Sequence, residues 1–352
     1  MHLDKFILIS LPLILLLNFI IIKNFKFFLL RRTVDNEFSK PQAFHKIPIP
    51  RIGGLLIFIF FNIPFIFFLE KNFLFIKIFT LGSFFFLIGF VSDYNLKISP
   101  NKRLFLMLII SIFLIYLFDI KVVNTQFFLI DSLISSHKII SMIFVCLCLV
   151  FISNGCNFID GFNGLLAFHI IIILSILFFI NYNNGNNEFL KYSIALLLIS
   201  IISVLFYNFP KADIFLGDSG AYFLGVVTSL VVIELSSLNQ TISPFFFACI
   251  LFYVFFEVFF SFFRKIFFNL SPLRPDKKHL HMLFFIWIFS KVKDLNKANY
   301  LTGISINILY FFIIVPLLFN YKSEKFCKIY FFIMLIMYLL SYFFLRKKSE
   351  KL

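Results

Sequence analysis

Five polar stretches interrupt an otherwise apolar chain, and each carries residue types suited to phosphate or cation chemistry. The densest runs Asn154-Gly155-Cys156-Asn157-Phe158-Ile159-Asp160-Gly161-Phe162-Asn163-Gly164-Leu165. Polar groups between two strongly apolar runs are expensive at membrane depth and are usually kept for function. Asp160 is a candidate metal ligand, and the amides of Asn157 and Asn163 suit a nucleotide or a pyrophosphate. A second stretch, Asn208 to Ala221, contains Gly217-Asp218-Ser219-Gly220 at the start of an apolar run. A carboxylate placed there can hold a hard cation, with phosphate oxygens completing the octahedron of Mg²⁺. It is equally a good helix N-cap, and the two roles are compatible.

Three further stretches are basic. Arg274-Pro275-Asp276-Lys277-Lys278-His279-Leu280-His281 gathers cations and imidazoles that suit an anionic ligand. His-x-His also binds transition metals, but no Cys or third His lies near enough in sequence to complete such a site. Ser92-Asp93 is followed by Lys97, Lys102 and Arg103, so one carboxylate sits at a helix end beside a basic cluster. The segment from Lys40 to Gly54 includes His45, Lys46 and Arg51 and ends on Gly53-Gly54. Glycines at a helix start let backbone amides approach a phosphate. The plainer account of that segment is a basic loop on one side of a membrane.

The elements that must position these residues are apolar. Of 352 residues 61% are hydrophobic and 14% charged, far from the balance of a soluble domain. Eleven apolar segments cover roughly 6–22, 52–69, 73–92, 104–118, 139–153, 164–180, 189–207, 219–235, 242–263, 301–319 and 326–345. Runs of this length and apolarity span a bilayer as helices. The expected fold is all-α: a polytopic transmembrane bundle of about eleven helices, forming a single catalytic domain over residues 1–352. The 60 Phe reflect a compositional bias shared with Ile, Lys and Asn and mark no aromatic binding stripe. The first apolar run lacks a small-residue cleavage site and reads as an anchor. The five Cys lie in or beside apolar segments with no metal-ligand spacing and read as buried thiols. Glu257, deep within an apolar segment, is expected to pair with neighbours.

The net charge of +15 is distributed between the apolar runs, which fits a positive-inside pattern and not nucleic-acid binding. With alternate connections on opposite sides, 23 of the 32 Lys and Arg fall on the side that carries all five polar stretches. That side is expected to be cytoplasmic, with the N-terminus periplasmic and the C-terminus cytoplasmic.

In this order and on one side, the five stretches resemble the polyprenyl-phosphate N-acetylhexosamine-1-phosphate transferase family, of the glycosyltransferase 4 type. The likeness covers about residues 40 to 285. It rests on Asn157 to Leu165, on Phe215-Leu216-Gly217-Asp218-Ser219-Gly220 and on His279-Leu280-His281 in combination. The resemblance implies a bacterial inner-membrane enzyme that transfers a sugar 1-phosphate from a UDP-sugar to undecaprenyl phosphate and releases UMP. It implies Mg²⁺, with Mn²⁺ as a substitute, and an active site facing the cytoplasm; a homodimer is compatible with it. Carried over residue by residue, Asp218 and Asp160 are the metal ligands. Asp93, Asp160, His279 and His281 are the catalytic group. Asn157, Asn163, Arg274, Lys278 and His45 contact substrate. Ser92 stands where the family pattern has the first of two Asp, and Asn163 replaces a second Asp. Met282 and Asp213 occupy positions that are often basic. These departures favour the O-antigen or teichoic-acid initiating branch over the muramoyl-pentapeptide translocase. A lipid phosphate monoester has its second pKa near ~6 and is mostly dianionic at neutral pH. No base is then needed to activate it, and Asp93 is left a role in positioning or metal binding. The rival readings are a transporter with intramembrane Asn and Asp, and an inactive scaffold. A reporter fused after Leu352 is expected to read cytoplasmic and one inserted near Asn184 external; reporters that agree would mean that the helix count is wrong.

Overall fold

The computed structural model describes residues 3–25, 33–35, 48–68, 73–94, 98–185, 187–271 and 276–351. His45 and Arg274 lie outside the described residues. The helices are α1 (Leu3–Phe25), α2 (Gly53–Phe68), α3 (Phe73–Asp93), α4 (Pro100–Phe118), α5 (Phe128–Ser136), α6 (Lys138–Ile159), α7 (Leu165–Asn183) and α8 (Glu188–Asn208). They continue with α9 (Gly217–Leu238), α10 (Pro244–Ile250), α11 (Phe252–Phe267), α12 (Leu280–Val292), α13 (Leu295–Ile314), a 3₁₀ turn (Val315–Phe319) and α14 (Glu324–Ser349). All eleven apolar segments are helical, and the fold is a polytopic helical bundle. Among the described residues eight helices are long and apolar enough to cross a membrane, or nine if the bent pair α10–α11 is one span. The apolar stretches Pro12–Asn24 and Gly53–Asn62 fall short of that length.

The segment expected at 242–263 is two helices meeting at 75°. Apolarity reports burial and not straightness, so a hydropathy pattern is blind to such a bend. The break leaves the Ile250 carbonyl without a helical partner, and the Tyr310 hydroxyl of α13 donates to it. A freed backbone group inside a bilayer requires such a replacement. Two short helices, α5 and α12, have no counterpart among the eleven expected segments.

Helix α9 is the axis of the bundle. Of its most apolar stretch 72% is buried, against 22% for α14, and it packs chiefly against α3 and α6, then α2. Ring contacts fill the α2–α3–α9 interface: Phe58 stacks on Phe86 at 4.2 Å and meets Phe223 edge-on. The outer face of α4 is apolar and exposed at Phe105, Phe113, Tyr116 and Leu117. A soluble protein would hide such a face; here it suits acyl chains.

At one end of the bundle the chain is drawn tight around the start of α9. Strand β1 (Val34–Asp35) pairs antiparallel with β2 (Ile49–Pro50), and Arg51 reaches back to Asp35 at 2.5 Å. The same segment then clasps the approach to α9. Phe215 N donates to the Pro50 carbonyl at 2.8 Å, and Gly53 N and Gly54 N donate to the carbonyls of Phe215 and Leu216 at 2.9 Å. The Gly53 and Gly54 amides, expected from sequence to be open to a phosphate, are therefore spent on backbone carbonyls. Their lack of side chains serves a close approach between segments.

Gly89 is the tightest fit on α3. A Cβ there would lie 2.5 Å from the Asp218 carbonyl and from Ser219 Cα. Backbone cannot yield as a flexible side chain does, so Gly89→Ala is expected to cost about 1–3 kcal/mol or more of stability, read as a lower Tm in detergent. Gly161→Ala meets nothing within 4 Å and is expected to leave Tm unchanged.

Candidate active site

The site is built on the N-terminus of α9. The first amides of a helix have no intrahelical partner and carry a partial positive charge. Asp93, the last residue of α3, takes two of them: Oδ1 accepts from Asp218 N at 3.0 Å and Oδ2 from Ser219 N at 2.8 Å. Asp93 is only 1% exposed, so these donors stand in for solvent at its carboxyl. The Gly217 amide favours the charged form of Asp160, whose carboxyl follows the end of α6. Gly217 has φ +76°, and a Cβ there would lie 2.6 Å from Asp93 Oδ2. Conformation and space both demand glycine at this position.

With Asp93 capping α9, Asp218 does not. Its side chain turns instead to α4. Oδ2 accepts from Ser92 Oγ at 2.8 Å and pairs with Arg103 Nη1, which also donates to Ser92 Oγ at 3.0 Å. Ser99 caps α4 and Pro100 is its first residue, which sets Arg103 within the first turn.

Three carboxyl groups thus converge from three helices. The consequence is clearest at Asp160, which lies outside the membrane-spanning helices. Burial, then the charges of Asp218 and Asp93, push its pKa up to about 8, against the smaller opposing effects of Arg51 and the Gly217 amide.

The stretch after α6 faces two ways. Asn157 Nδ2 donates to the Tyr222 hydroxyl of α9 at 2.8 Å, on the same side as Asp160. Phe158 and Phe162 meet the rings of His279 and His281 edge-on, at 5.3 and 5.8 Å. That imidazole pair is assembled by α11, where Glu257, Ser261 and Arg264 share a face at helical spacing. Arg264 pairs with Asp276 at 2.9 Å, which fixes the approach to α12. Glu257, 1% exposed, accepts from His279 Nδ1 at 3.0 Å and from Leu280 N at 3.1 Å. The Tyr253 hydroxyl lies 3.3 Å from His281 Nδ1. Both rings are turned by their Nδ1 atoms, and His281 Nε2 is buried with no partner.

Residues 75–236 match the model of Glycosyl transferase family 4. Over that stretch the chain is similar to this family. That family 4 region runs from α3 to the end of α9 and so contains Asp93, Asp160 and Asp218, while the imidazole pair lies beyond it. The chain is 32% identical to the phospho-N-acetylmuramoyl-pentapeptide-transferase of Dictyoglomus turgidum, over 54% of this chain and 61% of that protein. It is 28% identical to the "probable undecaprenyl-phosphate N-acetylglucosaminyl 1-phosphate transferase" of Bacillus subtilis, over 67% of this chain and 66% of that one. A third relative, the undecaprenyl-phosphate alpha-N-acetylglucosaminyl 1-phosphate transferase of Thermotoga maritima, is 30% identical over 37% and 38%. The matches therefore span 38% to 66% of the relatives' length and include both branches distinguished above.

Of the residues expected to act together, the structure brings Asp93, Asp160 and Asp218 to one helix start and His279 with His281 to a neighbouring wall. Asn157 lies between them. Asn163 is drawn elsewhere: its backbone amide donates to Asn299 Oδ1 at 2.8 Å and its Nδ2 to the Pro210 carbonyl at 2.9 Å. Lys278 has an exposed side chain, and only its amide is engaged, by Asp276 at 3.0 Å. From sequence Arg103 is one of a basic cluster without a role of its own, and Tyr222, Arg264 and Tyr253 carry no motif. The signal for Arg103 is its place four residues after Ser99-Pro100, a helix-start pattern; the signal for Arg264 is its seven-residue spacing from Glu257.

Among the described residues no three His, Cys, Asp or Glu side chains form a metal-holding group. Mg²⁺ does not require one, because it commonly takes one or two carboxylates and completes its shell with water and phosphate oxygens. Asp218 and Asp160 fit that pattern: hard oxygens in a region of excess negative charge, where a carboxyl is driven to hold a proton.

The raised Asp160 pKa has a measurable consequence. Between the ordinary carboxylate value and about 8 the folded protein binds the proton more tightly than the unfolded chain does. The stabilisation is fully present below that window and is lost as pH rises through 8. Without divalent cation, the Tm of the wild type is expected to fall between pH 6 and 9 relative to Asp160→Asn, which has no proton to lose there. Parallel Tm profiles for the two proteins would contradict the assignment.

Proposed function

We propose that the chain transfers a sugar 1-phosphate from a UDP-sugar to undecaprenyl phosphate, giving undecaprenyl-diphospho-sugar and UMP. The sugar is an N-acetylhexosamine and the product begins a cell-surface polysaccharide. The observation that carries this reading is the set Asp93, Asp160 and Asp218 at a single helix start, with Arg51 and Arg103 beside it. The family 4 match over that same region supports it, as do the printed names of the relatives, which include N-acetylglucosaminyl 1-phosphate transferases. Ser92 and Asn163 are the grounds for preferring the polysaccharide-initiating branch.

In the reaction an oxygen of the lipid phosphate attacks the sugar-bound phosphorus. The phosphorus–oxygen bond to the nucleotide phosphate breaks, and UMP leaves with that oxygen. Two anions must meet, so the principal task is neutralising charge in a region of low dielectric. Asp218 and Asp160 would hold Mg²⁺, which supplies Lewis-acid compensation for the pyrophosphate. Asp93 is fixed by two backbone amides and sets the start of α9, which makes it a positioning residue. Ser92 donates to Asp218, and as the lipid phosphate is already a dianion the absence of a second carboxylate at this place is no obstacle. Glu257 orients His279 through Nδ1, and His279 Nε2 lies 3.8 Å from Asp276 Oδ1. The basic loops support a cytoplasmic position for this end of the bundle in a bacterial inner membrane.

A carrier is the second reading considered. It is less well supported, because Asp93, Asp160 and Asp218 sit at helix termini and ion sites of carriers lie near the midplane.

Purified protein is expected to release UMP only when UDP-sugar, undecaprenyl phosphate and Mg²⁺ or Mn²⁺ are all present; a panel of UDP-sugars identifies the donor. Asp218→Asn should lower the rate by about 10²–10³-fold while the protein remains folded. Ser92→Ala removes a hydroxyl that bridges Asp218 and Arg103 and should cost about tenfold, less than Asp218→Asn. No turnover with any UDP-sugar would overturn the reading, and a severe Ser92→Ala defect would give Ser92 a direct part in the chemistry.

A further inference from the structure

Arg103 has a role that neither capping nor packing explains. It contacts Asp218 Oδ2 and Ser92 Oγ through one nitrogen, Nη1, and does not form the paired fork of a committed structural bridge to a carboxylate. The other arginine at this end, Arg51, is occupied by Asp35 at 2.5 Å. The carboxylate that Arg103 covers is the one best placed to hold a divalent ion.

We propose that Arg103 is the resident counter-cation of Asp218 and competes with the divalent metal for that carboxylate. This rests on the reading of Asp218 as a metal ligand. Without metal, the guanidinium neutralises Asp218 beside two other acidic side chains. When metal binds, the guanidinium must give up Oδ2, because two cations on one carboxylate oxygen repel. Ser92 makes the exchange easy. Its neutral hydroxyl bridges the pair at 2.8 and 3.0 Å, whereas a carboxylate at this position would hold the guanidinium for itself. Metal affinity is thus set by an internal competitor in the first turn of α4.

The test is Mn²⁺ binding to the full-length protein in detergent, without substrates, followed by electron paramagnetic resonance of free Mn²⁺. Losing one charged contact to the competitor predicts that R103Q binds Mn²⁺ about tenfold or more tightly than wild type. R103M, which offers no oxygen ligand, should do the same. K102Q removes an exposed charge one residue away and should change affinity by less than about twofold, as expected for a screened charge. D218N should abolish the site. Survival of binding in D218N overturns both the metal reading and this proposal. Loss in D218N with unchanged affinity in R103Q and R103M overturns the competition alone. Tightening in R103Q but not R103M makes the Gln oxygen the cause, and equal tightening in K102Q makes it a general field effect; either result also overturns the proposal.

Discussion

A helix that begins inside a crowded membrane bundle must find partners for amides that water cannot reach, and α9 finds them on its neighbours. Asp93 from α3 takes the amides of Asp218 and Ser219, and Asp160 from the end of α6 lies at that of Gly217. One requirement of backbone chemistry thereby locates three acidic side chains. With the cap role filled from outside, Asp218 is released from its own helix and turns towards Ser92 and Arg103. The glycines at 89 and 217 are the steric counterpart, since carboxylate and amide meet only because nothing stands between them.

Much of this was legible in the sequence. The eleven apolar segments are all helical, and the Asp93, Asp160 and Asp218 stretches gather at one end of the bundle, because alternation of helix direction forces every second connection onto one side. What could not be read was the direction of individual side chains. Asp218 opens a helix and looks like its cap, yet the cap comes from 125 residues earlier. Gly53 and Gly54 look like an open phosphate cradle, yet their amides are closed by Phe215 and Leu216. Asn163 looks like a ligand contact, and its amide groups fasten one loop to Asn299 and Pro210. In each case the competing partner is distant in sequence, where neither spacing nor propensity carries information. Glu257 is the converse case: a carboxylate this deep in an apolar helix had to be paired, and His279 is its partner.

The stretch from Asn157 to Phe162 ties the two halves of the site together. Its polar side chains face α9 and the acidic group, and its two Phe face the imidazoles. A displacement of this short segment moves both walls at once, so the spacing between acidic and imidazole groups is held by a few peptide units. The packing of Phe158 and Phe162 is in this sense part of the chemistry, although neither ring has a reactive atom.

The pairing of Asp93 with the start of α9 also bears on how such a chain is made. A ribosome adding roughly 5–20 residues per second delivers Asp93 about 6–25 s before Asp218. For that interval α3 sits in the bilayer with an ionisable end and none of its eventual donors. The basic residues Lys102 and Arg103 emerge next. The permanent donors arrive only when the later helix threads in against Gly89. The acidic centre is thus complete only once α9 is in place, and a nascent chain that has not yet released α9 has none.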